Sequence, residues 1–527
     1  MKACSRRPWL LLFLALSALL PWFTQAAPPS RSDGGPPGSV RPITQHEARL
    51  FADVLVQVIE TIARRYYQPV APELLAGKAL VALYEAAGVA VPVPLRGDLV
   101  AALAGTDLRR EGFTARKALG DPGVLRGDRA YRVALNGMVE VLDPHTQFFM
   151  HDDRLAASAQ TGSSAVGFIL EDPTGPNDPV WIRSVILGSP ASQAGILPGD
   201  ELVAVDGDAV PPGLTNARLA RVLSVAPGRA CQVVVRPPGG TARTVLLTPS
   251  LFEEESLRGW RRLDEQSGWD YWLDRPRQIA YLRLGSISTR VGDQMGHLLN
   301  WLQEAGLSGV VLDLRDCPGG AVFGAVEVAG LFLPAEQPGW IVAQRTQVAS
   351  ASYRGESPEN RVEHHWVLGG FHFTELPVSV LIGPTTTGGG ELIAAALQDY
   401  GRAQLFGGRT RGKGTIQRSD VQIENAQVAM PFTMTLTAGL FFRASGQSLQ
   451  RLPTHTEKDV WGVRPSPGCE IRLPPAEQRL QRRWRHLQDL RREDDRTQLP
   501  LDRLENDPVL HAAWRWLTQQ RPDPAQH

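Results

Sequence analysis

The 527-residue sequence has no excess of charge of either sign, because lysine plus arginine and aspartate plus glutamate each number 55. Proteins that bind nucleic acid or anionic membranes commonly carry a basic surplus, so we expect neither partner here. Cysteine is scarce as well, with four residues in the whole chain. They stand far apart and lack the paired spacing of a zinc site, so Cys231, Cys317 and Cys469 are expected to be ordinary buried residues.

Long apolar runs are missing everywhere except near the N-terminus. There, three basic residues among the first seven precede an apolar run at residues 9–20, and small residues follow around Ala26. This run is shorter than the roughly 20 residues of a membrane span, and the whole pattern is typical of a secretory signal. We expect a signal peptide at 1–26, with an uncleaved anchor as the alternative. The mature protein is then expected in the periplasm, without a membrane span.

The rest of the chain has the composition of a folded protein, with 43% hydrophobic and 21% charged residues, and it is long enough for three or four domains. A stretch rich in proline, glycine and serine comes first, followed by apolar residues at helical spacing between 51 and 62. The expected parts are a linker at 27–44, an N-terminal helical region at 45–160, a small β domain at 161–252, an α/β core at 253–465 and a C-terminal helical tail at 466–527.

The α/β core is expected because strand and helix patterns alternate from about residue 278 to residue 450. Residues 309–315 and 377–383 are continuous apolar runs that end in glycine-rich turns, as do strands buried on both faces. Residues 391–398 have strong helix propensity. The chain is therefore predicted to be a multidomain α+β protein.

Within the small β domain, residues 164–170 together with residues 188–207 resemble a PDZ domain. In such domains an extended peptide adds a strand to a sheet edge, and its terminal carboxylate lies against backbone N–H groups. The resemblance implies a peptide-binding loop at Val166, Gly167 and Phe168, with Phe168 beside the last side chain of the ligand. The alternative is a small β domain that binds no ligand.

Further segments are similar to the C-terminal processing (tail-specific) peptidases, and they follow one another in that family's order. The resemblance implies a crotonase-like α/β core that hydrolyses peptide bonds with a serine–lysine dyad and requires no cofactor. The segments are residues 142–146, 279–284, 313–320, 395–403, 412–417 and 461–465.

The resemblance also implies roles for individual residues. Lys413 corresponds to the general base, a lysine whose pKa is lowered by burial. Gln417 corresponds to the residue that orients this lysine, and it lies on the same face if the segment is helical. The N–H groups of Gly319 or Gly320 correspond to the donors that hold the developing oxyanion.

The nucleophile is where the sequence departs from the family, because Gly388 stands in place of the reactive serine. In one interpretation the site is inactive and serves for binding, with N–H groups of the glycine turn, including that of Gly389, facing the cleft at a helix start. In another interpretation, Thr386 or Thr387 supplies the hydroxyl. A third is a deliberate inactivating change, although all three serines of the family's motif are replaced here.

Two functional hypotheses therefore remain open at this point. As an enzyme, the protein would cut the chains that its PDZ domain delivers. As a binding protein, it would capture unfolded or extended protein C-termini without cutting them. His364, His365 and His372 lack carboxylate or cysteine partners in the sequence, so no metal site is expected.

Overall fold

The structure of the protein is a computed structural model. The expected signal peptide and most of the expected linker lie outside the residues that it describes. In the described part of the chain, no helix combines the length and the apolar character that crossing a membrane requires. The described residues are 41–143, 145–150, 166–171, 175, 177–214, 230–250, 255–263, 268–333, 342–348, 359–365, 373–418, 432–443, 445–490 and 498–520.

The N-terminal part is helical, as its periodicity predicts. The first helix begins at a capping box, in which Thr44 and Glu47 satisfy each other's backbone N–H groups, and its apolar stripe is buried. The helices are α1 (Gln45–Arg65), α2 (Pro72–Ala86), α3 (Leu99–Leu103), α4 (Leu108–Leu119) and α5 (Arg129–Val139), with 3₁₀ turns at Val93–Arg96 and Gly123–Leu125.

This helical unit is joined to the core by a sheet rather than by a flexible linker. Strand β1 (Gln147–Met150) pairs antiparallel with the strand Phe432–Phe442. Apolar side chains of that distant strand, including Met434 and Leu436, belong to the same buried cluster as those of α1 and α2. The N-terminal helices therefore pack directly on the core.

The small β domain follows, and it has an apolar core of its own that includes Phe168 and Cys231. Strands β2 and β3 pair with each other, while the remaining four form a sheet in the order β5-β4-β6-β7. The elements are β2 (Phe168–Leu170), β3 (Ile182–Val185), α6 (Pro190–Gln193), β4 (Glu201–Val205), β5 (Asp208–Ala209), β6 (Cys231–Arg236) and β7 (Arg243–Leu247).

The α/β core begins with β8 (Leu257–Arg258) and ends with β19. Its central strands β12, β13, β16 and β17 are parallel neighbours. The further elements are β9 (Arg261–Arg262), β10 (Trp269–Asp270), β11 (Trp272–Asp274), β12 (Ile279–Leu284), α7 (Val291–Glu304), β13 (Gly309–Asp313), α8 (Val322–Gly330), β14 (Val342–Val348), β15 (Glu359–His365), β16 (Val378–Ile382), α9 (Gly389–Asp399), β17 (Gln404–Gly407), β18 (Thr415–Arg418) and β19 (Phe432–Phe442).

Two helices of the C-terminal tail complete the core. Helix α11 (Pro508–Gln519) covers one face of the central sheet, while α7, α8 and α9 cover the other. Helix α10 (Pro475–Leu490) lies between the small β domain and the core. Its Arg482 pairs with Glu171 beside β2, and its Arg485 pairs with Asp316 after β13. The expected multidomain α+β architecture is confirmed.

Candidate active site

The centre of the site is the turn between β16 and α9. Gly388 is the N-cap of α9, with φ 54° and ψ −116°, and it is buried. A side chain is disfavoured at this φ, yet a Cβ added there would have the Cα of Gly319, 3.8 Å away, as its only neighbour within 4 Å among the described residues. The space at this position therefore admits a Cβ, although the backbone conformation disfavours one. Gly389 and Gly390 belong to the first turn of α9, so the expected glycine turn is part of a packed helix start.

A single buried carboxylate fixes this helix start to the lysine turn. Glu391 Oε2 accepts hydrogen bonds from the backbone N–H of Gly388 (3.1 Å) and from that of Lys413 (2.8 Å). Glu391 Oε1 accepts from the N–H of Gly412 (2.6 Å) and the hydroxyl of Thr410 (2.5 Å). The two bonds to Oε2 hold the nitrogens of Gly388 and Lys413 within about 6 Å of each other.

Lys413 is one of the residues that line a cavity of about 910 Å³ between the small β domain, the core and α10, whereas Gly388 is not. Burial lowers the pKa of Lys413, and the nearby Arg411 lowers it further, because both disfavour the ammonium form. Among the described residues, the structure gives the Lys413 amine no hydrogen-bond partner. A lysine in this environment loses its proton more readily than an exposed one and can act as a base.

The geometry of Gln417 corrects one expectation. Residues 415–418 form strand β18, not a helix, because they pair with β19. Gln417 therefore does not follow Lys413 at helical spacing. Its amide donates to the hydroxyls of Thr415 (2.9 Å) and Thr437 (3.2 Å). The Thr437 hydroxyl in turn donates to Asp143 Oδ1 (2.9 Å), so Gln417 belongs to a polar chain beside the lysine.

The two candidate threonine nucleophiles have backbone partners. The hydroxyl of Thr386 donates to Leu314 O (2.7 Å) and accepts from the N–H of Gly383 (3.0 Å), and the residue is fully buried. The hydroxyl of Thr387 donates to Pro318 O (2.6 Å). Both hydroxyls thus connect the turn before α9 to the loop after β13.

The glycines expected to hold an oxyanion lie next to Gly388. A Cβ on Gly319 would lie 3.1 Å from the nitrogen of Gly389, which places these two residues side by side. Gly320 is exposed and forms a β-bridge with Ile287. The φ values of Gly319 and Gly320 are 91° and 145°, in the region that favours glycine.

In the small β domain, the expected peptide-binding residues differ in what they present. The side chains of Val166 and Phe168 are each 1% exposed and belong to the domain core, so Phe168 does not line an open pocket. Gly167 has φ 88°, and its carbonyl accepts from the N–H of Ile186 (2.8 Å). Gly167 is buried as well, so none of the three residues is open to a ligand in this structure.

Some residues at the site were not predicted from the sequence. Glu391 and Thr410 hold the lysine turn, and Asp143 is the charged end of the Gln417 chain. The negative charge of Asp143 opposes the lowering of the Lys413 pKa. His145 lines the large cavity as well, although nothing in the sequence assigns it more than a packing role. Asp143 and His145 belong to the motif at residues 142–146, which gave the only sequence signal for them.

Comparisons with known proteins agree with this architecture. Residues 278–460 match the profile of peptidase family S41, and residues 181–237 match that of the PDZ domain. The carboxyl-terminal-processing protease of Picosynechococcus sp. is 32% identical over 295 residues, which cover 55% of this chain and 64% of that protein. The carboxy-terminal-processing protease of Bartonella bacilliformis is 27% identical over 326 residues, which cover 60% and 66%. The matched part of the chain thus spans slightly less than two thirds of the length of these relatives.

Solved structures give more distant matches. The photosystem II D1 C-terminal processing protease has a TM-score of 0.48 and 19% identity, covering 81% of this chain and 93% of that one. Mature CPAF has a TM-score of 0.43 and 14% identity, covering 84% and 96%. Residues 278–460 thus match peptidase family S41 and residues 181–237 match the PDZ domain, and together with the curated relatives and the sequence motifs they support a C-terminal processing peptidase with a PDZ domain.

Proposed function

We propose that this protein captures unfolded or extended protein C-termini through its PDZ domain and holds them at a peptidase-type cleft without hydrolysing them. One observation carries the proposal. Gly388 occupies the start of α9, where Glu391 joins it to the base Lys413, and glycine has no atom that a base could activate. A covalent acyl transfer needs a nucleophile within reach of the base.

The remaining features of the cleft support binding. The lysine turn is held by Glu391, and the backbone of Gly319 lies against that of Gly389. The cavity of about 910 Å³ beside Lys413 offers space for a segment of extended chain. A site that keeps its walls and its base but lacks its nucleophile can still hold a peptide.

The alternative is an endopeptidase that uses Thr386 or Thr387 with Lys413. The lowered pKa of Lys413 favours this alternative, because a lysine that is more easily deprotonated can serve as the general base of an endopeptidase. Against it, each threonine hydroxyl would first have to leave the backbone carbonyl that it bonds at 2.6–2.7 Å. A misplacement of about 1 Å already costs roughly a hundredfold in rate, so such a rearrangement would have to be accurate.

The test is hydrolysis of fluorescently labelled casein, an unfolded protein, by the purified chain and by Gly388→Ser. The proposal expects the natural chain to be inert and Gly388→Ser to cut, since the added Cβ has room. Gly388→Ala is the matched control, because it brings the same backbone strain without a hydroxyl. Cleavage by the natural chain that Lys413→Ala abolishes would refute the proposal, and Thr386→Val and Thr387→Val would then identify the nucleophile.

The proposal places this activity in the periplasm. Its support is the N-terminal pattern of basic residues, an apolar run at 9–20 and small residues near Ala26. Expression of the full sequence in a Gram-negative host, with cell fractionation and N-terminal sequencing, tests this assignment. A periplasmic product that starts near Ala27 supports export, whereas a full-length product in the cytoplasm contradicts it.

A further inference from the structure

A second, smaller cavity lies where the PDZ domain, the core and α10 meet. It has a volume of about 60 Å³ and opens between the residues after β3, the end of β12 and one face of α10. Its charged wall is uneven, with five arginines against two aspartates. These are Arg183, Arg258, Arg283, Arg482 and Arg485 against Asp316 and Asp489.

Several buried donors around this cavity lack a hydrogen-bond partner among the described residues. They are Nε of Arg283, Arg482 and Arg485, together with the His486 ring nitrogen Nε2, which donates in the tautomer that carries its proton there. A second nitrogen of Arg485 lies 3.7 Å from Asp507. All four residues are more than nine-tenths buried and line the cavity. A buried donor without a partner destabilises the folded state, and a charged one does so more, so such a concentration of them calls for a ligand.

The terminal nitrogens of these three arginines already bond to carboxylates, which leaves each Nε without a partner. The outer nitrogens of Arg482 and Arg485 reach Glu171 (3.0 Å) and Asp316 (2.9 Å). Arg283 bonds to Asp489 in the same way. Each guanidinium is thus anchored by one edge, and its Nε is left without a partner in a residue that lines the cavity.

The chemistry of the wall favours an anion over water. A guanidinium donates hydrogen bonds and accepts none. A water that accepts from these groups therefore still needs acceptors for its own two O–H donors. One water requires about 10–15 Å³ of such a volume, so the cavity has room for a few waters or for one tetrahedral oxyanion. An oxyanion accepts from every donor and offsets the positive surplus of the wall, in the way that arginines commonly bind phosphate.

We propose that this cavity binds one tetrahedral oxyanion, of the phosphate or sulfate class. The ion would accept hydrogen bonds from Arg283 in the core and from Arg482, Arg485 and His486 on α10. The PDZ residue Arg183 also lines the cavity. Bound there, the ion strengthens the junction that fixes the PDZ domain beside the larger cavity, and it makes that placement respond to the concentration of the anion.

The experiment is isothermal titration of sodium phosphate into the whole chain, in a buffer free of other oxyanions. The expected result is one phosphate per chain, with an affinity at least about tenfold weaker in Arg485→Met. Arg479→Met is the matched control. It removes the same charge from the same helix, but Arg479 pairs with Glu171 and does not line the cavity, so phosphate binding should persist.

Because Arg485→Met also removes the partner of Asp316, His486→Leu provides a milder test that leaves the ion pairs in place. It should weaken phosphate binding without loss of folded protein. Sodium sulfate should compete with phosphate, whereas sodium chloride at equal ionic strength should not. The proposal is overturned if no phosphate binds, if Arg485→Met and His486→Leu both bind it as the natural chain does, or if chloride competes equally.

Discussion

Replacement of Glu391 by glutamine tests the carboxylate on which the candidate site depends. The change keeps the shape of the side chain but replaces one of its two oxygens by an NH₂ group. In the natural protein each oxygen accepts two hydrogen bonds, from Gly388 and Lys413 at one and from Gly412 and Thr410 at the other. Whichever way the amide turns, its NH₂ group faces two donors.

The expected loss follows from that count. Two hydrogen bonds disappear, and each buried donor left without a partner costs about 1–3 kcal/mol, so the variant should lose about 2–6 kcal/mol of stability. For a domain of roughly 150–250 residues, each kcal/mol lowers the melting temperature by about 2–4 °C. The core transition in calorimetry should therefore fall by at least about 4 °C. Burial raises the pKa of Glu391 and the four donors oppose that shift, so the scan is run at pH 8, which favours the ionised side chain.

Glu327→Gln is the matched control, because Glu327 lies on a neighbouring core helix and its Oε2 has no hydrogen-bond partner among the described residues. Burial raises the pKa of Glu327, so its charged form is disfavoured in the folded state, and loss of the charge at pH 8 should be neutral or slightly stabilising. If Glu391→Gln melts within 2 °C of Glu327→Gln, about the effect of a single kcal/mol, the carboxylate does not hold the site together as described.

Three further predictions concern the same region. Because the pKa of Lys413 is lowered, its amine should be acetylated at a lower pH than an ordinary lysine. Mass spectrometry of the acetylated protein should give a half-maximal rate at a lower pH than that of added N-acetyl-lysinamide. An equal or higher midpoint would contradict this. Thr386→Val should cost about 1–3 kcal/mol in denaturant unfolding, since the N–H of Gly383 loses its acceptor; an unchanged midpoint would contradict the buried hydroxyl contacts. Glu171→Gln weakens the ion pairs of this carboxylate with Arg479 and Arg482. The melting temperature should stay within about 2 °C, but hydrogen exchange of the α10 amides should become faster, and more so at low salt. Unchanged exchange would argue against this link.

The fold was largely readable from local patterns. The apolar spacing in residues 51–62 has the period of a helix, and α1 buries that stripe. The apolar run after Gly309 was predicted to be buried on both faces. In β13, Val310 and Leu312 join the cluster under α7–α9, and Val311 joins the one under α11. Alternation of side chains along a strand gives this result without any knowledge of the partners.

The details of the site depended on distant contacts, and these the sequence did not reveal. Gln417 was placed at helical spacing from Lys413 because both were read from one short segment, but pairing with β19 makes that segment a strand. Glu391 reads as a helix former, yet its carboxylate caps the lysine turn about 20 residues later. Likewise, the arginines of α10 look like a solvated face until Arg482 is seen to reach Glu171, 311 positions earlier.

The position of α10 in the chain sets an order of assembly during synthesis. Strand β7 ends the described PDZ elements at Leu247, and α10 ends at Leu490, about 240 residues later. At about 5–20 residues per second, the ribosome needs roughly 12–48 s to cover that distance. The PDZ domain has an apolar core of its own and can therefore fold before the helix that fixes its position exists. A nascent chain halted before residue 475 would carry a folded PDZ domain without the helix that holds it against the core.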